Sequence, residues 1–373
     1  MGDKLKILIV DDSLVYRKLL TQVAEDTGLG EVVYTASNGE TALERLRQEA
    51  IDVILLDVYM PNMDGIELLN IVKEEWPDKS VIMVSSGGVD SAQLTVKALE
   101  LGAMDFILKP SGDDLKKNME RLKSYLHVLF AQILTRKYSE KLWETAGKID
   151  VVNGKVDTGK GKDVKPRVRR GGYERFNLDG VEIVLIAAST GGPTALEKVL
   201  KKLPSDIQVP ILIVQHMPPT FTQMLADTID KKVDIPIREA EAGDRVEDGI
   251  ALIAPGGYHM VVDAEGTQKT IRTEDTPHVH GVKPAADILF KSVANSYKNG
   301  NVLAIVLTGM GVDGTQGVRE LKSNTNCYCI TQDRESCVVY GMPKSVYEAG
   351  LSDEIVHIDK IGGRIIDIVS GRG

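Results

Sequence analysis

The sequence predicts two α/β domains, each an open, mostly parallel sheet flanked by helices. Three observations carry that expectation. Residues 5 to about 130 alternate short apolar runs with amphipathic segments; the same alternation resumes at Val181; and a Gly- and Lys-rich stretch without apolar period separates the two. Alternating strands and helices imply a parallel sheet covered on both faces. A length of 373 residues leaves room for more than one core.

In the first half the apolar runs are "LKILIV", "VVYTA", "DVILLD", "VIMVSS" and "MDFILK". Helical segments lie between them, for example Gly39 to Gln48 and Asp64 to Glu75. This places a first domain over 4–125. The stretch "GKIDVVNGKVDTGKGKDVKPRVRRGG" falls in a flexible basic linker drawn over 126–178. A second domain is expected over 179–373. Its strand candidates are "VEIVLIAA", "VPILIVQ", "IPIREA", "IALIAP", "YHMVVD", "KTIRTE", "VLAIVLTG" and "CYCITQ". Helices are expected to begin near Pro193, Pro219, Pro284 and Gly314, proline being tolerated in a first turn that needs no N–H. An antiparallel excursion is expected around residues 250–274.

Composition narrows the class. Hydrophobic residues make up 43% and charged residues 27%, as in ordinary globular protein. A net charge of −9 argues against a general nucleic-acid binder, which needs clustered Lys and Arg. No apolar run approaches the roughly 20 residues of a membrane span. The start, "MGDKLKILIVDDS", does not read as a signal peptide. A cytoplasmic protein is expected, not inserted in a membrane. Cys327, Cys329 and Cys337 lack the grouping of a metal site and read as structural.

Ligands of parallel sheets gather outside the carboxyl ends of the strands. Asp11 and Asp12 end the first strand, Asp57 the third, Ser85 the fourth and Lys109 the fifth. Three converging carboxylates repel one another, and a hard cation such as Mg²⁺ would offset that. A carboxylate beside Mg²⁺ can take a phosphoryl group. Ser85 and Lys109 could then bind phosphoryl oxygens. Taken singly, Asp12 could be a helix cap, Ser85 a turn residue and Lys109 a surface residue. The segment 4–125 resembles the response-regulator receiver family through "VDDS", "LLDVYMPNMDG", "VSS" and "LKP". The resemblance implies a flavodoxin-like fold, Asp57 as phospho-acceptor, and Asp11 and Asp12 with Asp57 as Mg²⁺ ligands. It also implies that Ser85 and Lys109 sense the phosphoryl group, and that Phe106 stands at the family's switch aromatic, although core packing explains Phe106 equally well.

In the second half a buried run delivers Ser189 to a strand end, followed by "TGGP" and a helical pattern. A nucleophilic serine needs a base and a group to orient it. Among six histidines, His216 stands just past the second buried strand and is best placed. His127 and His357 lie in poor contexts, His259 enters a strand, and His278 with His280 form a weak "HVH" pair. Asp313 follows a third buried run in "LTGMGVDG". Gly191 and Gly192 open a helix whose N–H groups favour negative charge, and Met310 offers another backbone donor. Ala187 occupies the place of the glycine usual before a nucleophile elbow.

Both halves together resemble the CheB family of chemotaxis methylesterases, through "ASTGGPTAL", "VQHMP", "APGGYHM", "KPAADILF", "LTGMGVDGTQG" and "SCVVYGMP". The resemblance implies a Rossmann-like catalytic domain with Ser189, His216 and Asp313 as its triad, and Thr190, Gly191 and Met310 lining the site. It implies a phosphorylation-activated enzyme that demethylates glutamyl esters of methylated chemoreceptors and deamidates receptor glutamines. A chemotaxis histidine kinase would be its phosphodonor, Mg²⁺ would serve the receiver alone, and the chain is expected to act as a monomer with no nucleic-acid partner. Two rival readings remain: a phosphorylation-controlled binding module in which Ser189 is inert, and a nucleotide-binding domain using "STGGP" as a phosphate cradle. The second lacks the spacing and lysine of a P-loop.

Overall fold

The computed structural model describes residues 4–110, 115–146, 180–266 and 268–371. The first unit runs β1 (Leu5–Val10), α1 (Leu14–Asp26), β2 (Gly30–Ala36), α2 (Gly39–Gln48), β3 (Val53–Asp57), α3 (Gly65–Glu75), β4 (Ser80–Ser85), α4 (Val89–Glu100), β5 (Asp105–Leu108) and α5 (Leu115–Ala146). Its five strands are parallel in the order β2-β1-β3-β4-β5. The strands β3 and β4 are buried along their whole length, as continuous apolar runs between two helix layers must be. The five residues named from the sequence, at the ends of β1, β3, β4 and β5, therefore open on one edge.

The second unit continues with β6 (Ile183–Ala188), α6 (Gly192–Leu200), β7 (Ile211–Gln215), α7 (Phe221–Asp230), β8 (Ile237–Glu239), β9 (Ala251–Ile253), β10 (His259–Glu265), β11 (Gln268–Glu274) and α8 (Ala286–Ser296). It closes with β12 (Asn301–Val306), α9 (Thr315–Asn324), β13 (Asn326–Gln332), α10 (Met342–Glu348), β14 (Glu354–Val356) and α11 (Ile358–Val369). Seven strands pair in the order β14-β13-β12-β6-β7-β9-β8, all parallel, and β10 with β11 forms a separate antiparallel pair. The antiparallel excursion is thus narrower than expected, since β9 belongs to the parallel sheet. The elements α10, β14 and α11 were not foreseen. In α11, Ile358, Ile361, Ile365 and Ile368 form one buried stripe at helical spacing.

The linker expected from residue 126 begins later. Helix α5 continues to Ala146, because Leu122, Leu126, Leu129, Phe130 and Ile133 bury a continuous stripe against the first sheet. Polar contacts extend the anchorage: His127 Nδ1 lies 3.0 Å from Thr27 O, and Lys137 pairs with Asp52 at 2.6 Å. Residues 147–178 of the expected linker lie outside the described residues.

The two units meet on the α4–β5–α5 face of the first. Helix α4 packs on α6 and α7. Phe106 and Phe221 stack with centroids 4.8 Å apart and planes 3° from parallel. Lys232 bridges Glu100 at 2.6 Å and Glu197 at 3.0 Å. Among the described residues no helix is long and apolar enough to cross a membrane.

Candidate active site

Two clusters stand at the carboxyl edges of the two sheets. In the first, carboxylate oxygens of Asp11, Asp12 and Asp57 lie within 4.8 Å of one another. Lys109 Nζ is 2.7 Å from Asp57 Oδ2 and 2.9 Å from Asp11 Oδ2. Three converging carboxylates, two of them buried and facing a single lysine, fit a hard divalent cation. Burial pushes the Asp57 carboxyl up to about 6, although Lys109 pulls the other way. Ser85 is fully buried, and its hydroxyl is engaged by Ser91 and Thr95 of α4 at 3.2 and 3.1 Å. Phe106 sits at the contact with Phe221, so it is interface as well as core.

The second cluster follows from strand register. The strands β6 and β7 run parallel with Ala188 opposite Gln215, and His216 N donates to Ala188 O at 3.1 Å. Ser189 and His216 are therefore the next residues on adjacent strands. On the other side of β6, β12 pairs Val306 with Ala187, and the loop that follows returns Asp313 to the same edge. His216 Nε2 lies 2.7 Å from Asp313 Oδ2. His216 Nδ1 is thus the nitrogen left for a proton transfer. Asp313 also accepts from the first turn of α8: Ala286 N donates to Oδ2 at 2.6 Å and Asp287 N to Oδ1 at 3.0 Å. Burial pushes Asp313 up, but His216 and those two N–H groups outweigh it and hold the carboxyl below its ordinary range.

Gly191 adopts φ 73° at the N-cap of α6, a conformation that glycine takes without strain. Ser189 is 8% exposed and Thr190 2%. Thr190 O accepts from Thr308 Oγ1 at 2.9 Å, and Ser189 N donates to Thr308 O at 3.0 Å. The backbone of Gly309 abuts Ser189 so closely that a Cβ there would stand 2.8 Å from Ser189 Cβ. Met310 is half-buried and packs against apolar residues of the cluster built on α5.

The other histidines do different work. His259 is fully buried; its Nδ1 accepts from Ala285 N at 3.1 Å and its Nε2 lies 3.1 Å from Pro277 O. His280 Nε2 lies 2.8 Å from Asp287 Oδ2, and Asp287 Oδ1 accepts from Gly317 N at 2.6 Å. His280, Asp287 and Asp313 are close enough to hold a metal. Their carboxylate oxygens already accept backbone N–H groups or an imidazole, and two helix N-termini point at them.

Sequence reasoning missed several residues here. Gln215 reaches both strand ends, Asp287 supplies an N–H to Asp313, and Tyr125 reaches Thr190 from α5 with Oη···Oγ1 at 3.3 Å. Asp287 had a usable signal, an acidic residue in the first turn after a proline. Tyr125 had none.

A receiver-type acidic pocket in one α/β unit and a Ser, His and Asp gathered at one sheet edge of the other point to a class: a receiver-regulated hydrolase. The comparisons agree. The family model described as "CheB methylesterase" matches residues 184–365, and "Response regulator receiver domain" matches 7–120. The chain is 39% identical to the protein-glutamate methylesterase/protein-glutamine glutaminase of Desulfotalea psychrophila, over 98% of both chains. It is 40% identical to the protein of that name from Bacillus subtilis, again over 98% of both. The crystal structure of the Thermotoga maritima CheB methylesterase catalytic domain is 38% identical and covers 51% of this chain and 99% of its own, with a TM-score of 0.49. The chain belongs to the protein-glutamate methylesterase/protein-glutamine glutaminase family, with a CheB methylesterase domain and a receiver domain.

Proposed function

We infer that this chain is a phosphorylation-activated protein-glutamate methylesterase and protein-glutamine glutaminase acting on chemoreceptors. The observation that carries the chemistry is the His216–Asp313 contact of 2.7 Å at the edge where β6 delivers Ser189. Ser189 Oγ attacks the γ-carbonyl while His216 takes its proton through Nδ1. Asp313 holds the imidazole by Nε2 and stabilises the charged ring. The developing oxyanion is met by backbone N–H groups at the α6 N-terminus and at Met310, with Thr190 beside them. His216 returns the proton to the leaving oxygen and methanol departs. Water then attacks the acyl-enzyme with His216 again as base, and the glutamate is released. A glutamine side chain follows the same path with ammonia as leaving group.

The receiver unit is the switch. Its α4–β5–α5 face lies over α6, α7 and Thr190, so the docked state restricts the site. A histidine kinase would phosphorylate Asp57. Asp11, Asp12 and Asp57 would hold Mg²⁺, which supplies charge neutralisation for the phosphoryl oxygens. Lys109 and Ser85 would bind those oxygens, drawing Ser85 away from α4 and loosening the docked face. We place the protein in the cytoplasm as a monomer, with methylated chemoreceptors as substrates.

The test is methanol release from methylated receptor membranes, with and without a small phosphodonor. Wild type should release methanol faster with the donor, and Ser189→Ala should release none while keeping its fold. Substantial release by Ser189→Ala would refute the nucleophile assignment.

A further inference from the structure

Gln215 ends β7 and precedes His216. Its side chain is only 2% exposed. Nε2 donates to the backbone oxygen of Ser189 at 2.9 Å and lies 3.4 Å from that of His216. Oε1 accepts no hydrogen bond. It lies against Gly192, where a Cβ would stand 1.9 Å from it. The second glycine of "TGGP" is therefore explained by close approach. The amide orientation is forced, because exchanging Oε1 and Nε2 would set two carbonyl oxygens against each other.

A buried amide with an unpaired oxygen is costly, and a methionine would fill the same space without that cost. What only the amide offers is a donor to Ser189 O. That oxygen also accepts from Gly192 N at 2.7 Å, so two donors fix the peptide that carries Ser189 into α6. The same residue fixes where His216 begins. Resting on the hydrolase reading above, we propose that Gln215 is a positioning residue: its carboxamide ties the Ser189 peptide to the strand end bearing His216 and so sets the nucleophile–base geometry. The side chain lies beneath the site and contributes to turnover, not to substrate affinity.

The experiment uses the full chain with a small phosphodonor and Mg²⁺, assayed by methanol release from methylated receptor membranes. Gln215→Met should lower kcat about 10- to 100-fold with KM changed less than about twofold, since small misplacements of reacting groups cost that much. Gln215→Glu separates donation from bulk, because a neutral carboxyl donates and a carboxylate cannot. Its kcat relative to wild type should rise as pH is lowered from 8.5 to 5.5. Gly192→Ala should displace the amide and lower kcat as well, and should cost less in a Gln215→Ala background. It reads the same contact if Gln215→Met does not fold. Wild-type kcat in folded Gln215→Met or in Gly192→Ala overturns the proposal. So does a loss confined to KM, or a Gln215→Glu ratio that stays low at every pH. Ser189→Ala separates the two readings: activity retained there overturns the hydrolase reading and this proposal with it, whereas activity lost there with kcat unchanged in the Gln215 variants overturns the proposal alone.

Discussion

Tyr125 Oη, on the last helix of the receiver, lies 3.3 Å from Thr190 Oγ1 and donates to Asp105 Oδ2 at 2.6 Å. The receiver thus touches the residue next to Ser189, the proposed nucleophile. Asp105 is buried, and burial pushes its carboxyl up while the Tyr125 and Thr190 hydroxyls pull it down. Tyr125→Phe removes the contact to Thr190, about 0.5–1.5 kcal/mol of the docked state, while the lost bond to Asp105 weakens the receiver whether docked or not. Basal methanol release should rise by roughly 2- to 10-fold, and stimulation by phosphodonor should shrink. Unchanged basal activity together with a lowered Tm would mean that the contact is structural only.

Asp313→Asn should be more damaging than its remoteness from the ester suggests. The carboxylate accepts three bonds, from His216, Ala286 N and Asp287 N. An amide has a donor at one end, which must face an N–H group or the imidazole nitrogen that needs an acceptor. We expect kcat to fall by roughly 10²- to 10⁴-fold, with KM little changed. Steady-state kinetics decide it, and a fall of less than threefold would remove Asp313 from the relay.

Asp57 links the switch to pH. Its folded-state carboxyl is raised to about 6 from an ordinary 3.8, by burial first. The protonated form is the one the fold favours, so this contribution to stability is present below about pH 4 and lost as pH rises through 6. Asp57→Asn should therefore raise Tm at pH 7.5, by up to about 3 kcal/mol in stability, and the gain should vanish toward pH 4. Mg²⁺ should narrow the difference at pH 7.5 by stabilising wild type more. Thermal melts across pH 4.5–8 would contradict this if Asp57→Asn were the less stable protein at pH 8.

Much of this was legible because a parallel sheet sorts its residues. Apolar runs such as "VILLD" and "VLIAA" can only be buried strands, and whatever follows them lies on one edge. Asp57, Ser189 and His216 are placed by that rule alone. Asp313 needed a loop to turn back, which its position after "VLAIVLTG" allowed. The Lys109–Asp57 pair was also readable as two strand ends. Contacts between units were not. Nothing in "SYLHVLF" says that Tyr125 will meet Thr190, or in "MDFILK" that Phe106 will stack on Phe221, because such pairs depend on how one layer is laid on another. Helix α5 beyond residue 125 was a different failure. Its stripe at Leu126, Leu129, Phe130 and Ile133 was visible, but the change in composition nearby weighed more heavily. Gln215 escaped because a polar residue at a strand end reads as rim, and only its 2% exposure shows otherwise.

The floor beneath Ser189 is made of main chain. A methyl group added at Gly191 would stand 2.5 Å from Val338, at Gly192 1.9 Å from Gln215, and at Gly309 2.4 Å from Met342. Adaptation to a new substrate has no side chain to vary there. It must work on exposed apolar residues beside that floor: Val338, which lies against Gly191 and is 37% exposed, and Val312, next to Asp313 in the chain and 48% exposed. Laboratory evolution of a new ester preference should accumulate changes at those two positions and leave the glycines alone, so that chemistry and choice of target diverge at different rates within one small patch of the molecule.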